Sequence, residues 1–199
     1  DITLNTGDSA LASFVDFASA ESFLRPGMPF SIDGMEQERE RLAKMFKDNG
    51  YYRFLKDYIT FTADTSHHSN KVKLTMNIAM LAPSSSDSLV PHSVYRIGGI
   101  YYVSGVGARI DDAALAACDT LEYHGYNILY KENTIVRPRV LVENTYFHPG
   151  DLYSQSKIDR TFNAFAQLTA VKYTTIRMVE RPDTALLDCY IVFERNKRR

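Results

Sequence analysis

Pro26-Gly27 and Pro149-Gly150 stand 123 residues apart in a chain of 199. A repeat at that distance implies two copies of one supersecondary unit rather than a single continuous core. At the same spacing Phe30-Ser31 falls on Tyr153-Ser154. An amphipathic helical pattern follows in each copy. In the first, Met35, Leu42, Met45 and Phe46 share a face; in the second, Ile158, Phe162, Phe165 and Leu168 do. Asp33 three residues before Glu36, and Ser156 three before Asp159, fit capping boxes or near variants.

Two strand-like runs come after each helix. Ile59, Phe61 and Ala63 alternate with Thr60, Thr62 and Asp64, then Val72, Leu74, Met76 and Ile78 with Lys73, Thr75 and Asn77. Period-two alternation marks strands with one buried face. The second copy has Val171–Glu180, with a parity break between Tyr173 and Ile176 that predicts a bulge, then Leu187, Cys189, Ile191 and Phe193. Each Pro-Gly is also preceded by a shorter helix candidate. One carries Leu11, Phe14, Val15 and Ala18 behind Asp8 or Ser9 as cap; the other begins at Pro138 and carries Val140 and Leu141. An opening strand, Val94–Val103, is clear only in the second copy, since the first offers just Ile2-Thr3-Leu4. The expectation is α+β: tandem two-layer βααββ units, a helix pair covering a three-stranded sheet. The first unit is expected to lack its opening strand, or to fill that place with Ile2–Leu4 or with a strand of another chain.

The turn-rich run Ala82-Pro83-Ser84-Ser85-Ser86-Asp87-Ser88, followed by Pro91, reads as a linker. It divides the chain into 1–82, N-terminally truncated, and 92–199; Asn196–Arg199 reads as a cut end or a further linker. The second unit carries an insertion at about 104–134. There Asp111-Asp112 begins a short helix through Cys118, and Leu121, Tyr123, Tyr126, Ile128 and Tyr130 flank His124-Gly125 as a hairpin. Lys and Arg number 23 against 24 Asp and Glu, so bulk electrostatic binding of nucleic acid or acidic lipid is not expected. No run approaches the roughly 18 apolar residues of a membrane helix.

Against this frame the residues resemble a known family. Arg25-Pro26-Gly27-Met28-Pro29-Phe30, Glu38-Arg39, Asn49-Gly50-Tyr51-Tyr52-Arg53-Phe54, Tyr58-Ile59 and Asp64-Thr65 look like a POTRA domain, the periplasmic module of BamA-type outer-membrane assembly proteins. Arg137-Pro138-Arg139-Val140-Leu141, Pro149-Gly150-Asp151-Leu152-Tyr153-Ser154 and Leu186-Leu187-Asp188-Cys189-Tyr190-Ile191 resemble the POTRA just before the barrel. Thr169-Ala170 stand where a glycine is usual, and the insertion departs from a plain POTRA. The resemblance implies a βααββ fold and a non-catalytic periplasmic role without cofactors. It also implies a membrane barrel C-terminal to this stretch, and unfolded outer-membrane proteins and accessory assembly lipoproteins as partners. A transporter or autotransporter-assembly relative would look alike. An α+β small-molecule-binding domain or enzyme is the alternative of a different class, and it requires a deep apolar pocket with convergent polar groups.

The chemistry-bearing side chains are sparse. His67-His68 has half a metal site's ligands and no carboxylate or Cys beside it. Cys118 and Cys189 either pair in an oxidising compartment, or Cys189 is a small core residue of the last strand. Asp111-Asp112, Asp57 and the Glu36–Arg41 stretch make no acid/base pair, and Glu38-Arg39 is expected to be structural. Gly98-Gly99 and Gly105-x-Gly107 lack the rest of a nucleotide fingerprint. No Ser or Cys has a recognisable activating partner. The positive candidates are sheet edges, where unpaired N–H and C=O groups accept an added strand. In the family the second strand of each unit is the usual edge, which implies 58–64 and 171–180, with Tyr58, Thr60, Thr62, Lys172 and Thr174 as candidate interaction residues. Two roles stay open for their polar side chains: marking a capture surface, or only keeping the edge soluble.

Overall fold

The computed structural model describes residues 1–66, 70–84, 88–107 and 110–196. The chain forms two compact units, Asp1–Lys47 with Tyr51–Ser93, and Asp48–Gly50 with Val94–Arg199.

In the first unit, strand β1 (Ile2–Thr6) leads into helices α1 (Ser9–Phe17) and α2 (Ile32–Asp48), then strands β2 (Ile59–Asp64) and β3 (Lys73–Ile78). The sheet order is β1-β3-β2, β1 parallel and β2 antiparallel to the central strand. The expectation that the opening strand is missing is therefore corrected. Ile2–Leu4 takes its place, because alternation of Ile2 and Leu4 with Thr3 and Asn5 suffices for a five-residue strand. Leu11, Leu42, Ala43, Phe46, Tyr51, Phe54, Ile59, Met76 and Ile78 form the core, with Phe46 edge-on to Phe54 at 4.8 Å and to Tyr51 at 5.9 Å. Asp8 caps α1, accepting the Leu11 N–H at 3.2 Å, while its other oxygen accepts the His92 N–H at 3.0 Å. His92 is buried, and Leu81 and Val90 form an antiparallel bridge. The described part of the turn-rich segment is thus folded back onto the first unit rather than hanging as a bare tether.

The second unit holds β4 (Arg96–Ser104), α3 (Asp112–Ala116), β5 (Asp119–Tyr123), β6 (Tyr126–Tyr130), α4 (Pro138–Glu143), α5 (Gln155–Gln167), β7 (Val171–Glu180) and β8 (Leu186–Arg195). Its sheet has five strands in the order β5-β6-β4-β8-β7, not three. The insertion's hairpin turns at His124 and Gly125, both at positive φ, and lays β6 parallel to β4. Sequence periodicity showed the hairpin but not its docking, which depends on an unpaired β4 edge beside it. Tyr102, fully buried, stacks between Phe165 and Tyr126, each 6.1 Å away, and its hydroxyl meets Thr145 Oγ1 at 2.6 Å. Burial pushes the Tyr102 and Cys189 pKa values well up. Cys118 and Cys189 are free thiols, so the disulfide alternative is set aside.

The repeat is exact in its frame. α2 starts at Ile32 and α5 at Gln155, again 123 apart. Both Pro-Gly pairs are the middle of a hydrogen-bonded turn. The Met28 N–H donates to the Arg25 carbonyl at 3.2 Å and the Asp151 N–H to the His148 carbonyl at 3.1 Å. Gly27 (φ 86°) and Gly150 (φ 90°) take the left-handed position that such turns demand. The two capping boxes do not form. Ser31 caps α2 through the Gly34 N–H at 3.0 Å, and Asp33 and Ser156 lie inside their helices.

Candidate functional site: the sheet edges

β2 and β7 are edge strands of their sheets. Thr60 and Thr62 lie on β2 with exposed side chains, Lys172 and Thr174 on β7, and Tyr58 in the 3-10 turn leading into β2. The ladder decides which backbone groups are free. The Ala79 N–H donates to the Tyr58 carbonyl at 2.9 Å, and the register runs Thr60↔Asn77, Thr62↔Thr75. Antiparallel pairing alternates, so Tyr58, Thr60, Thr62 and Asp64 point their N–H and C=O at β3. The free edge belongs to Ile59, Phe61 and Ala63, and Arg39 Nε already donates to the Ile59 carbonyl at 2.8 Å. The same arginine reaches Glu36 at 2.6 Å and Asp57 at 3.3 Å, and Lys56 meets Glu36 at 2.6 Å. Salt and charge therefore line the start of the β2 edge.

On β7 the Arg181 N–H donates to the Leu186 carbonyl at 3.0 Å and the Asn196 N–H to the Ala170 carbonyl at 2.9 Å. Counting by twos turns Lys172, Thr175, Arg177 and Val179 toward β8 and leaves Ile176 and Met178 on the free edge. The predicted bulge falls between Lys172 and Thr175, where Tyr173 sits at φ 54° with Lys172 Nζ 5.2 Å from its ring, and Thr174 lies inside it. A bulge twists an edge and interrupts its pairing, which limits how long an added strand can run.

Two polar devices hold the frame of these edges. Glu38, 3% exposed, accepts from Ser22 Oγ and the Phe23 N–H, both at 2.9 Å, and from Arg41 at 2.6 and 2.9 Å. Burial alone raises its pKa, but the Arg41 guanidinium, the Phe23 N–H and the Ser22 hydroxyl outweigh that, and the carboxyl titrates below the usual range. One repeat later Thr161 takes the same place, its Oγ1 accepting the Tyr146 N–H at 3.0 Å. Glu38 is structural, as expected, and the 123-residue spacing was the signal that pairs it with Thr161. The second device is in β4. Gly98 and Gly99 form an irregularity opposite β8, the Gly99 N–H donates to Asp188 at 2.7 Å, and Arg181 Nη2 reaches that oxygen at 2.7 Å. A Cβ on Gly98 would lie 2.9 Å from both side chains. These glycines make room for an ion pair.

Among the described residues no three metal-ligating side chains converge, and no helix is long and apolar enough to cross a membrane. His67-His68 lies outside the described residues.

Two helices packed on a mixed three-strand core in the order opening–last–second, repeated twice, define the POTRA fold. No family model and no curated protein matches the sequence. Among solved structures, BamA from Haemophilus ducreyi lacking POTRA domains 1–3 matches at a TM-score of 0.60 and 10% identity, over 98% of this chain and 28% of that one. BamA POTRA3–5 of Haemophilus influenzae, with 10% identity over 96% of this chain and 94% of that one, has a TM-score of 0.36. POTRA1–3 of Omp85 from Anabaena, with 12% identity over 99% of this chain and 64% of that one, has a TM-score of 0.38. The chain thus spans little more than a quarter of the BamA chain whose fold it shares at the higher score.

Proposed function

We propose that this chain is the periplasmic, non-catalytic POTRA region of an outer-membrane β-barrel assembly protein, receiving unfolded barrel precursors by strand addition. Accessory assembly lipoproteins are its second class of partner, and its own C-terminal membrane barrel adjoins it. The observation that carries the reading is the pair of free edges, β2 and β7, on two copies of a POTRA fold. Extended polypeptide is the one common ligand whose backbone matches such an edge residue by residue.

The test follows from the ladder parity. Proline at a position whose N–H faces outward removes a donor from the edge and leaves the existing ladder whole. Ala63→Pro and Met178→Pro are expected to reduce photo-cross-linked capture of a urea-unfolded outer-membrane protein about fivefold, one hydrogen bond's worth. Circular dichroism should stay unchanged. Thr60→Pro instead breaks the β2–β3 ladder and should lower the melting temperature. Capture that is indifferent to Ala63→Pro and Met178→Pro in folded protein would refute strand addition at these two edges.

A further inference from the structure

The second unit carries its own demonstration of what an opening-strand edge accepts. β3 and β8 are 115 residues apart in the repeat, and their partners align accordingly. Leu4 pairs with Met76 as Tyr102 pairs with Ile191, and Ile2 with Leu74 as Ile100 with Cys189. In the second unit the outer edge of that strand is filled by β6, parallel, with Ile128 opposite Tyr102. Tyr102, beside Ile128, is fully buried. In the first unit no strand among the described residues covers the outer edge of β1. Ile2 and Leu4 are only half-buried.

The uncovered edge is also set up to pair. The Leu74 N–H donates to the Asp1 carbonyl at 2.8 Å. Parallel alternation therefore turns Thr3 and Asn5 toward β3 and directs the N–H and C=O of Ile2, Leu4 and Thr6 outward. Beside that edge run two adjoining grooves of about 450 and about 520 Å3, lined among others by Ile2, Leu4, Leu24, Met28, Phe30 and Met35. Met28 and Phe30 are 41% and 53% exposed, apolar surface that a covering strand would bury. The β2 edge of the same unit, by contrast, begins under the Arg39–Glu36–Lys56 ion pairs.

We propose that the β1 edge of the first unit is a docking site for an extended segment with alternating apolar side chains, running parallel to β1 as β6 runs parallel to β4. Its outward donors and acceptors complement another extended backbone, and its grooves take the apolar side chains of one face. Resting on the function proposed above, the occupant is a strand of an unfolded barrel protein, whose membrane strands alternate in that way. β6 supplies the register: an apolar residue beside Leu4, where Ile128 stands beside Tyr102.

A photoreactive residue is placed singly at Thr3, Thr60 and Thr175 of the full chain, and each variant is mixed with a urea-unfolded outer-membrane protein. Capture at Thr3 is expected, and Ile2→Pro, which removes an outward donor at the strand's first position, should reduce it about fivefold. Leu4→Pro is the second variant, with amide exchange on β3 checking that the unit stays folded. Capture at Thr60 or Thr175 without Thr3 overturns this site and leaves the proposed function standing. Capture nowhere, by folded protein, overturns both. Thr3 cross-linking to a second copy in the absence of client also overturns it, since the occupant would then be this chain itself. So does capture at Thr3 that both proline variants leave unchanged.

Discussion

The two units share a turn, a helix start and a pinned loop, and differ at their sheet edges and in the chemistry of the pin. Arg25–Met28 and His148–Asp151 are the same turn, and α2 and α5 begin 123 residues apart. The backbone N–H of Phe23 and that of Tyr146 are each held by a side chain of the following helix. In the first unit that side chain is a buried carboxylate with its own arginine; in the second it is a hydroxyl. The lesson is that the repeat conserves a geometric requirement, an acceptor at one helical position, and not a residue type. Where the acceptor is charged, a counter-ion has to come with it. At the edges, a 30-residue insertion supplies to one unit a strand that the other leaves open.

The largest effect should come from the charged pin. Glu38→Ala strands Arg41 and the Phe23 N–H, at a cost of about 4 kcal/mol, read as a lower urea midpoint for loss of protection in β1–β3. Thr161→Ala should cost less than half as much in β4–β8; equal losses would break the contrast. The pH dependence sharpens it. Because the folded-state pKa of Glu38 is depressed, its contribution is full above the ordinary carboxylate value and disappears as pH falls through the folded value. The first unit should therefore lose stability on acidification, and Glu38→Gln should flatten that part of the profile. The neutral Thr161 pin adds no such slope, and amide exchange resolved by unit distinguishes them.

Next in size is the seam between β4 and β6. Ile128→Ala removes a fully buried side chain and should cost about 3 kcal/mol, with faster exchange at Tyr101–Val103 and none in the first unit. A loss below about 1 kcal/mol would make the hairpin an appendage rather than a cover. The smallest effect tests what is shared. Gly27→Ala and Gly150→Ala each force a Cβ into positive φ in otherwise open space, so both should cost about 1 kcal/mol, and equally. Thermal melts of the two variants would show whether the turns are as alike in energy as in shape.

Much of this was legible in the order of residues. Side-chain alternation placed Ile59, Phe61, Leu74 and Met76 on a core face, and the Pro-Gly spacing placed two helices. The edges themselves were less so. Side-chain parity says which face a residue takes, but backbone parity is set by the register of the neighbouring strand. Thr60 and Thr62 point their side chains outward while their peptide groups are already engaged, and Phe61, packed against the core, does the reverse. A five-residue strand such as β1 also carries too short a pattern to claim a place without its partner, and Ser31 takes the cap from Asp33 because the helix begins two residues earlier than the acidic pattern implies. The sequence does show the hairpin at His124-Gly125; that it packs against β4 is decided by what β4 leaves unpaired.

β1 has a further consequence, in time rather than space. The side-chain contacts Thr3–Thr75 and Asn5–Asn77 that accompany its pairing each close a loop of 72 residues. Such closure carries a logarithmic entropic penalty and slows folding. Synthesis proceeds from the N-terminus, so β1 leaves the ribosome long before β3 exists. Until α1, α2 and β3 follow, it is a strand with both edges unpaired and open to wrong partners. On that ground β1 is expected to dock last in refolding and to detach first, and it is the strand that carries the open edge.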